Sequence, residues 1–318
     1  AARGWTSNCY VSQLQLIQSH PVNGYELRPG FEFQSGTARI EVNSLGLRSP
    51  EPSEDRPLIV TLGGSAAFGY LVSNGETAAD LLEQKFRSDG VAIEVQNGGV
   101  PGYNLNQTIV RFRERIAPLK PDFVLLYLGW NDLPYVVSET PDESRFFRGS
   151  SPTAFQEVMS HSVAYGFVTS RILKRKPQLV PPPSIPLTPT PAGENRFLTN
   201  LKTLADEIEE NGAELIVCCP LMAEHPLANR SLFAALSEDA DHRARLIELG
   251  TWLHDRLEEF ARERNAIWID AWIPPDRTLL GDAIHLTQKG EQTVSELWYE
   301  TLSRLPQFRQ DNPSDYDL

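Results

Sequence analysis

Leu58-Ile59-Val60-Thr61-Leu62-Gly63-Gly64-Ser65-Ala66-Ala67-Phe68-Gly69 runs from an apolar segment into small residues set around one serine. That pattern predicts a buried strand entering a tight turn. In open α/β sheets the turns at the carboxyl ends of strands are where ligands bind. Glycines there let the backbone come close to a ligand and leave the Ser65 hydroxyl uncrowded. Taken alone, the stretch reads equally well as an ordinary Gly/Ser turn. Its meaning depends on whether the remaining chain supplies a base, an orienting acid and an oxyanion site.

Downstream, Ala78, Leu81, Leu82 and Phe86 follow helical spacing. Residues 92–96 then read as a strand ending in Asn97-Gly98-Gly99-Val100-Pro101-Gly102-Tyr103. A second helix carries Leu105, Ile109, Phe112 and Ile116 on one face. Residues 122–128 are apolar almost throughout, as expected of a central strand buried on both faces, and end in Gly129-Trp130-Asn131-Asp132. A helix over 194–210, a strand over 214–219, a long charged helix over 240–264 and a strand Ile267-Trp268-Ile269 follow. The last helix has Val294, Leu297, Trp298 and Leu302 on one face, with Thr287 placed as its N-cap. Five strands alternating with helices predict an α/β fold: a three-layer α/β/α sandwich around a doubly wound, mainly parallel five-stranded sheet.

Three segments stand outside that alternation. Residues 1–56 form a lead-in, in which Phe31, Phe33, Ile40 and Val42 alternate with polar residues around Gln34-Ser35-Gly36-Thr37, the pattern of a hairpin. Within the main domain, 57–305, residues 133–193 read as an insertion. Its first part, 133–176, has scattered aromatics and one or two helices, closed by Lys174-Arg175-Lys176 as a helix C-terminus. Residues 177–193 hold seven of the chain's 24 prolines and read as an extended surface connection rather than a central strand or helix interior. Residues 306–318 read as an acidic tail, expected to fray from Asp311 to Leu318.

Composition narrows the partners. The 318 residues carry a formal charge of −13 at pH 7, which argues against nucleic acid, whose phosphates are bound by clustered Lys and Arg. An anionic membrane surface is disfavoured for the same reason. No apolar run approaches the roughly 20 residues of a membrane helix. The chain opens on Ala1-Ala2-Arg3-Gly4, without an initiator Met or a signal-peptide core, leaving room for an upstream signal or membrane anchor. The expected location is extracytoplasmic, periplasmic or secreted, rather than cytoplasmic. Cys218 and Cys219 sit in a strand pattern and read as buried small hydrophobes; Cys9 could pair with one of them, though nothing in the spacing requires it. No Cys/His spacing suggests zinc, and neither a metal nor a cofactor is expected.

Candidate chemistry gathers at the predicted strand ends. Asp282-Ala283-Ile284-His285 precedes the last helix, with carboxylate and imidazole three positions apart. A carboxylate on one ring nitrogen fixes the tautomer, so the other nitrogen can take a serine proton. Asn131 offers an amide donor and Gly102 an uncrowded backbone N–H, which with the Ser65 N–H would make an oxyanion hole. Each feature alone is ordinary loop chemistry; their joint occurrence at successive strand ends is what points to nucleophilic catalysis. An α/β-hydrolase elbow would need glycine where Ala67 stands, and a phosphate-binding P-loop would need a lysine after its glycines.

These segments resemble the conserved blocks of the SGNH (GDSL-type) hydrolases. Gly63-Gly64-Ser65-Ala66-Ala67-Phe68-Gly69 looks like the nucleophile block and Asn97-Gly98-Gly99-Val100-Pro101-Gly102 like the second. Gly129-Trp130-Asn131-Asp132 is similar to the third, and Asp282-Ala283-Ile284-His285-Leu286-Thr287, with Gly290, to the last. Two positions depart from the pattern: the acidic residue usual before the nucleophile is Gly64, and Trp130 replaces a small residue before Asn131. The segment Asn43-Ser44-Leu45-Gly46-Leu47-Arg48 is more weakly similar to the segment preceding the domain in some exported or membrane-anchored members.

The resemblance implies a flavodoxin-like sheet and a serine esterase that cleaves acyl esters, acetyl esters among them, through an acyl-serine. It assigns Ser65, His285 and Asp282 as nucleophile, base and acid, and Ser65, Gly102 and Asn131 as the oxyanion hole. The expected substrate is a small-molecule or carbohydrate ester. Trp130 and His225 are candidates for the substrate pocket, His225 being more ordinarily a plain loop histidine. Two alternatives stay open: an O-acyltransferase or deacetylase tailoring a carbohydrate or small molecule, and a non-catalytic binding module on the same fold.

Overall fold

A computed structural model describes residues 13–35, 38–53, 56–139, 188–221, 240–273, 278–281 and 284–308. The lead-in comprises a helical turn α1 (Gln13–Leu16) and strands β1 (Ile17–His20), β2 (Gly24–Leu27), β3 (Glu32–Ser35) and β4 (Ala38–Glu41). Then follow β5 (Leu58–Gly63), α2 (Ser65–Phe68), α3 (Ala78–Ser88), β6 (Glu94–Asn97), α4 (Leu105–Arg111), β7 (Phe123–Tyr127) and α5 (Leu133–Val136). The second half contains α6 (Pro191–Glu210), β8 (Glu214–Cys218), α7 (Ala240–Arg264), β9 (Ile267–Ile269) and α8 (Gln288–Leu302).

The five main strands pair in the order β6-β5-β7-β8-β9, every pair parallel. The chain leaves β5 to one side for β6 and returns to its other side for β7. The carboxyl ends of β5 and β7 are therefore the topological switch point, the place where open α/β sheets form a crevice. Period-two alternation sorts the strand residues onto two faces. Val60, Leu62, Val124, Leu126, Leu215 and Val217 pack with Leu105 and Ile109 of α4, Leu201 and Leu204 of α6, and Leu253 and Leu257 of α7. Ile59, Phe123, Leu125, Tyr127, Ile216 and Cys218 pack against Leu82 and Phe86 of α3 and Val294, Trp298 and Leu302 of α8. The architecture is the expected three-layer, doubly wound sheet.

Helix starts follow capping chemistry. Thr77 and Asp80 form a capping box at α3, and Thr287 caps α8 by accepting from the Gly290 N–H at 3.2 Å. The proline-rich connection ends sooner than expected. Thr190 accepts from the Gly193 N–H at 3.0 Å, and Pro191 is the first residue of α6. Proline is tolerated there because its missing N–H would have had no helical partner. The Thr190 N–H also donates to the Val136 carbonyl at 3.0 Å, so both ends of the insertion meet at α5. The stretch between, 140–187, lies outside the described residues. The tail begins later than 306, because Pro306–Phe308 form a 3₁₀ turn with Phe308 buried against Phe86 and Phe123; from 309 on it lies outside the described residues.

The lead-in holds two antiparallel hairpins. β3–β4 is the one that the alternation predicted, whereas β1–β2 was not anticipated. Leu16, Ile17, Tyr25, Leu27, Ile40 and Val42 form a third cluster with Phe68, Val100 and Tyr103 of the main domain. Cys218 and Cys219 are buried free thiols, and burial pushes the Cys218 thiol up to about 12 while Trp298 Nε1 donates to its sulfur at 3.3 Å. Cys9 lies outside the described residues.

Glu291 joins the two helices of one face. Its Oε2 accepts from the Ala78 N–H at 2.8 Å, at the start of α3, where the helix dipole favours negative charge. Burial raises its carboxyl from 4.5 to about 8. The folded chain thus keeps a proton through a window in which the unfolded chain has lost it. That contribution is complete below pH 4.5 and is lost as pH rises toward 8. Glu291→Gln should therefore gain stability relative to wild type between those limits. Urea unfolding at about pH 5 and about pH 8 checks this; a difference between the two proteins that does not move with pH would contradict it.

Candidate active site

Ser65 follows β5 after the single residue Gly64 and opens α2, a four-residue helix capped at its end by Gly69 with φ +77°. The parallel ladder pairs Gly63 with Tyr127, which places this turn beside the end of β7. His285, 220 positions away in sequence, brings Nε2 to 2.7 Å from the Ser65 Oγ. That is hydrogen-bond reach for moving a proton between hydroxyl and imidazole.

The base is held by a small closed loop. The Gly281 N–H donates to the His285 carbonyl and the Thr287 N–H to the Leu279 carbonyl, both at 2.9 Å, and Leu280 bridges Leu286. Gly281 lies so close to Leu71 that a Cβ there would collide with it. Asp282, the expected orienting acid, lies outside the described residues, and so does His225.

Asn131 sits in a single 3₁₀ turn, Trp130–Asp132, at the end of β7. Its Nδ2 donates to the Tyr103 carbonyl at 2.9 Å. An amide carries two N–H groups, so one remains after that bond. The following Asp132 is buried, and its Oδ1 accepts from the Leu105 N–H at 2.9 Å at the start of α4. Burial pushes this carboxyl up to about 7, with the Leu105 hydrogen bond opposing the shift. Asn131 and Asp132 together pin the end of β7 to the loop that follows β6.

That loop carries Gly102, which is exposed and adopts φ +83°, a conformation that favours glycine. A Cβ there would also come within 2.6 Å of the Tyr25 hydroxyl. Tyr25 donates to the Pro101 carbonyl at 2.7 Å, and the Tyr103 hydroxyl donates back to the Tyr25 carbonyl. The β1–β2 hairpin thus supports the loop from outside.

Gly64, Ser65, Ala66, Tyr103, Tyr127, Leu128, Gly129, Trp130, Asn131, Pro220 and Ile284 line a cleft of about 20 Å³ at the switch point. Ser65, Asn131 and Trp130 are brought together in it, whereas Gly102 is not among its walls and stands one residue before Tyr103. Trp130 is the wall beside Asn131 that its side chain suggests. Gly64 has a steric reason to lack a side chain, since a Cβ would come within 2.5 Å of the Asn131 Nδ2. Among the described residues no cluster of His, Cys, Asp and Glu could hold a metal ion, and no helix is long and apolar enough to cross a membrane.

Two residues near the site escaped the sequence reading. Tyr70 packs its ring against the imidazole of His285, with centroids 4.8 Å apart and planes 31° apart. Arg48 is fully buried beneath the loop after Ser65, donating from Nη1 to the Phe68 and Gly69 carbonyls at 2.7 and 2.6 Å. The only sequence signal for Arg48 was its place at the end of Asn43-Ser44-Leu45-Gly46-Leu47-Arg48.

The family model described as GDSL-like lipase/acylhydrolase matches residues 61–293. No curated protein matches the chain. Among solved structures, it is similar to a lipase/acylhydrolase from Enterococcus faecalis at 18% identity and TM-score 0.46, covering 78% of this chain and 95% of that one. A G-D-S-L family protein from Desulfitobacterium hafniense is 14% identical with TM-score 0.47, over 77% of this chain and 99% of that one.

The packing at Gly64 yields a test. Gly64→Ala should displace the Asn131 amide from the Tyr103 carbonyl and destabilise the fold by about 1–3 kcal/mol, the usual range for overpacking. A crystal structure of the variant reads the displacement and thermal unfolding reads the cost. An unmoved Asn131 would mean that the backbone of the turn yields instead.

Proposed function

Because the chain belongs to the GDSL-like lipase/acylhydrolase family, we propose that it is a serine esterase that cleaves short acyl esters through an acyl-serine intermediate. The observation that carries the reading is the 2.7 Å contact between His285 Nε2 and Ser65 Oγ at the end of β5. Ser65 Oγ attacks the ester carbonyl carbon while His285 Nε2 takes its proton. The carbonyl oxygen becomes an oxyanion, for which the donors are the remaining Asn131 N–H and the backbone N–H groups of Ser65 and Gly102. Collapse breaks the bond to the alcohol oxygen, which leaves with the proton held by His285. Water then attacks the acyl-serine, giving a proton to His285, and Ser65 recovers that proton as the acid departs. Asp282 is assigned to orient the imidazole and stabilise its protonated form.

The short acyl chain is inferred from the walls of the cleft. Among the described residues, Trp130, Tyr127, Pro220 and Ile284 leave about 20 Å³ beside Ser65, roughly the room for one water-sized group. An acetyl methyl suits that space better than a long alkyl chain. The apolar walls would cover the acyl group while Asn131 addresses its oxygen.

Three outcomes test the proposal. A fluorophosphonate probe should label Ser65 in the wild type and not in Ser65→Ala, read by mass spectrometry of the labelled peptide; absence of labelling in the wild type would overturn the enzyme reading. Asn131→Ala should lower kcat about 10²–10³-fold, the usual loss of one oxyanion donor. Among p-nitrophenyl esters, acetate should exceed octanoate in kcat/KM by about ten-fold or more, and a preference for octanoate would refute the short-chain assignment.

A further inference from the structure

His285 belongs to a loop rather than a helix or strand, yet Nε2 must point at Ser65 to accept its proton. Part of what restrains it is the segment 68–74, which leaves the nucleophile turn and passes beside the base. The Tyr70 N–H donates to the Ser65 carbonyl at 3.2 Å, and the Tyr70 ring lies 4.8 Å from the imidazole at 31° between planes. One residue further, Leu71 fills the space above Gly281, in the loop that carries His285. Tyr70 therefore touches both nucleophile and base, and Leu71 the loop that carries the base.

The same segment is clamped from beneath. Arg48 Nη1 reaches the Phe68 and Gly69 carbonyls at 2.7 and 2.6 Å, Nη2 the Val72 carbonyl at 2.5 Å, and Nε the Asn74 Oδ1 at 3.1 Å. Its guanidinium also lies 4.4 Å from the centre of the Phe68 ring. Asn74 joins the segment to the β3–β4 hairpin, donating from its backbone N–H to the Arg39 carbonyl at 2.9 Å and from Nδ2 to the Glu41 carbonyl at 3.1 Å. Tyr70 projects from a strap fixed on both sides of it.

We propose that Tyr70 is a positioning residue for the base: its ring, held in place by the Arg48 clamp, backs the His285 imidazole and keeps Nε2 on Ser65. The inference rests on the acyl-serine reading above. A ring packed on one imidazole face restricts rotation out of line with the serine, and small misplacements of reacting groups are costly in rate. The aromatic face also suits the positive imidazolium that exists after each proton transfer. The hydroxyl of Tyr70 has no part in either effect, so the ring alone should suffice.

The experiment compares Tyr70→Leu and Tyr70→Phe with wild type on p-nitrophenyl acetate, alongside the rate of fluorophosphonate labelling at Ser65. Tyr70→Leu should lower kcat and the labelling rate about ten-fold with KM within about two-fold, and Tyr70→Phe should recover most of that loss. Wild-type kcat in the leucine variant would overturn the inference. So would a rise in KM alone, which would make Tyr70 a substrate wall, or an equal loss in the phenylalanine variant, which would assign the role to the hydroxyl. Failure of wild type itself to label or turn over would instead refute the acyl-serine reading, so the two failures are distinguishable.

Discussion

The buried guanidinium of Arg48 is the constraint on which the site's arrangement depends. Removing a cation from water costs several kcal/mol even after relaxation, so a fully buried arginine persists only where its donors are well used. Here three backbone carbonyls and the Asn74 amide oxygen accept them. Burial lowers Arg48 to about 10, opposed by the nearby carboxyl groups of Asp80, Glu291 and Glu76, and at that value it stays protonated at neutral pH. The positive charge is thus kept without a carboxylate in direct contact. What it holds is the carbonyl-rich turn after Ser65, which a parallel sheet cannot satisfy with its own ladder.

A second buried arginine works from the other direction. Arg111 of α4 donates from Nε to the Gly98 carbonyl at 2.6 Å and from Nη2 to the Gly46 carbonyl at 2.8 Å. One guanidinium thus extends from the lead-in under the nucleophile turn, and the other extends from the main domain to the lead-in and the loop after β6. With Tyr25 and Tyr103 exchanging hydrogen bonds beside Pro101, the first hairpin supports the loop that carries Gly102. The described part of the lead-in therefore contributes to the site without lining the cleft: its side chains fix the turn after Ser65 and the loop after β6.

Much of this was legible in the sequence, for identifiable reasons. A parallel sheet buried on both faces writes continuous apolar runs, which is why 122–128 and 214–219 stood out as strands. Ser65, Asn131 and His285 carry functional groups at strand ends or loops, where a polar side chain signals chemistry, and the structure brings all three to the switch point. The rest lacked such a signature. β1–β2 is a pair of four-residue strands with only Ile17, Tyr25 and Leu27 as large apolar residues, too few for periodicity to register. Arg48 and Arg111 act on backbone carbonyls, acceptors that every residue has and that no side-chain pattern marks. Tyr70 meets His285 only through tertiary packing across more than two hundred positions. Proline bars a helix interior, which makes 177–193 look extended, yet Pro191 stands at the first helical position, where it is an aid.

Gly64 and Trp130, the two departures from the family's usual residues, become related once the packing is known. At Gly64 the space a side chain would fill is taken by the Asn131 amide, which also binds the Tyr103 carbonyl. A carboxylate in that position could brace the turn from within, but it would have to displace the amide. In this chain the bracing falls instead to Asn131 and Tyr103 on one side and to Arg48 beneath. The Asn131 turn is in turn fixed by Asp132 on the Leu105 N–H, and Trp130 of the same turn forms a wall of the cleft. The nucleophile turn and the end of β7 thus pack closely enough to share an amide, and it is the absent side chain at Gly64 that admits this packing.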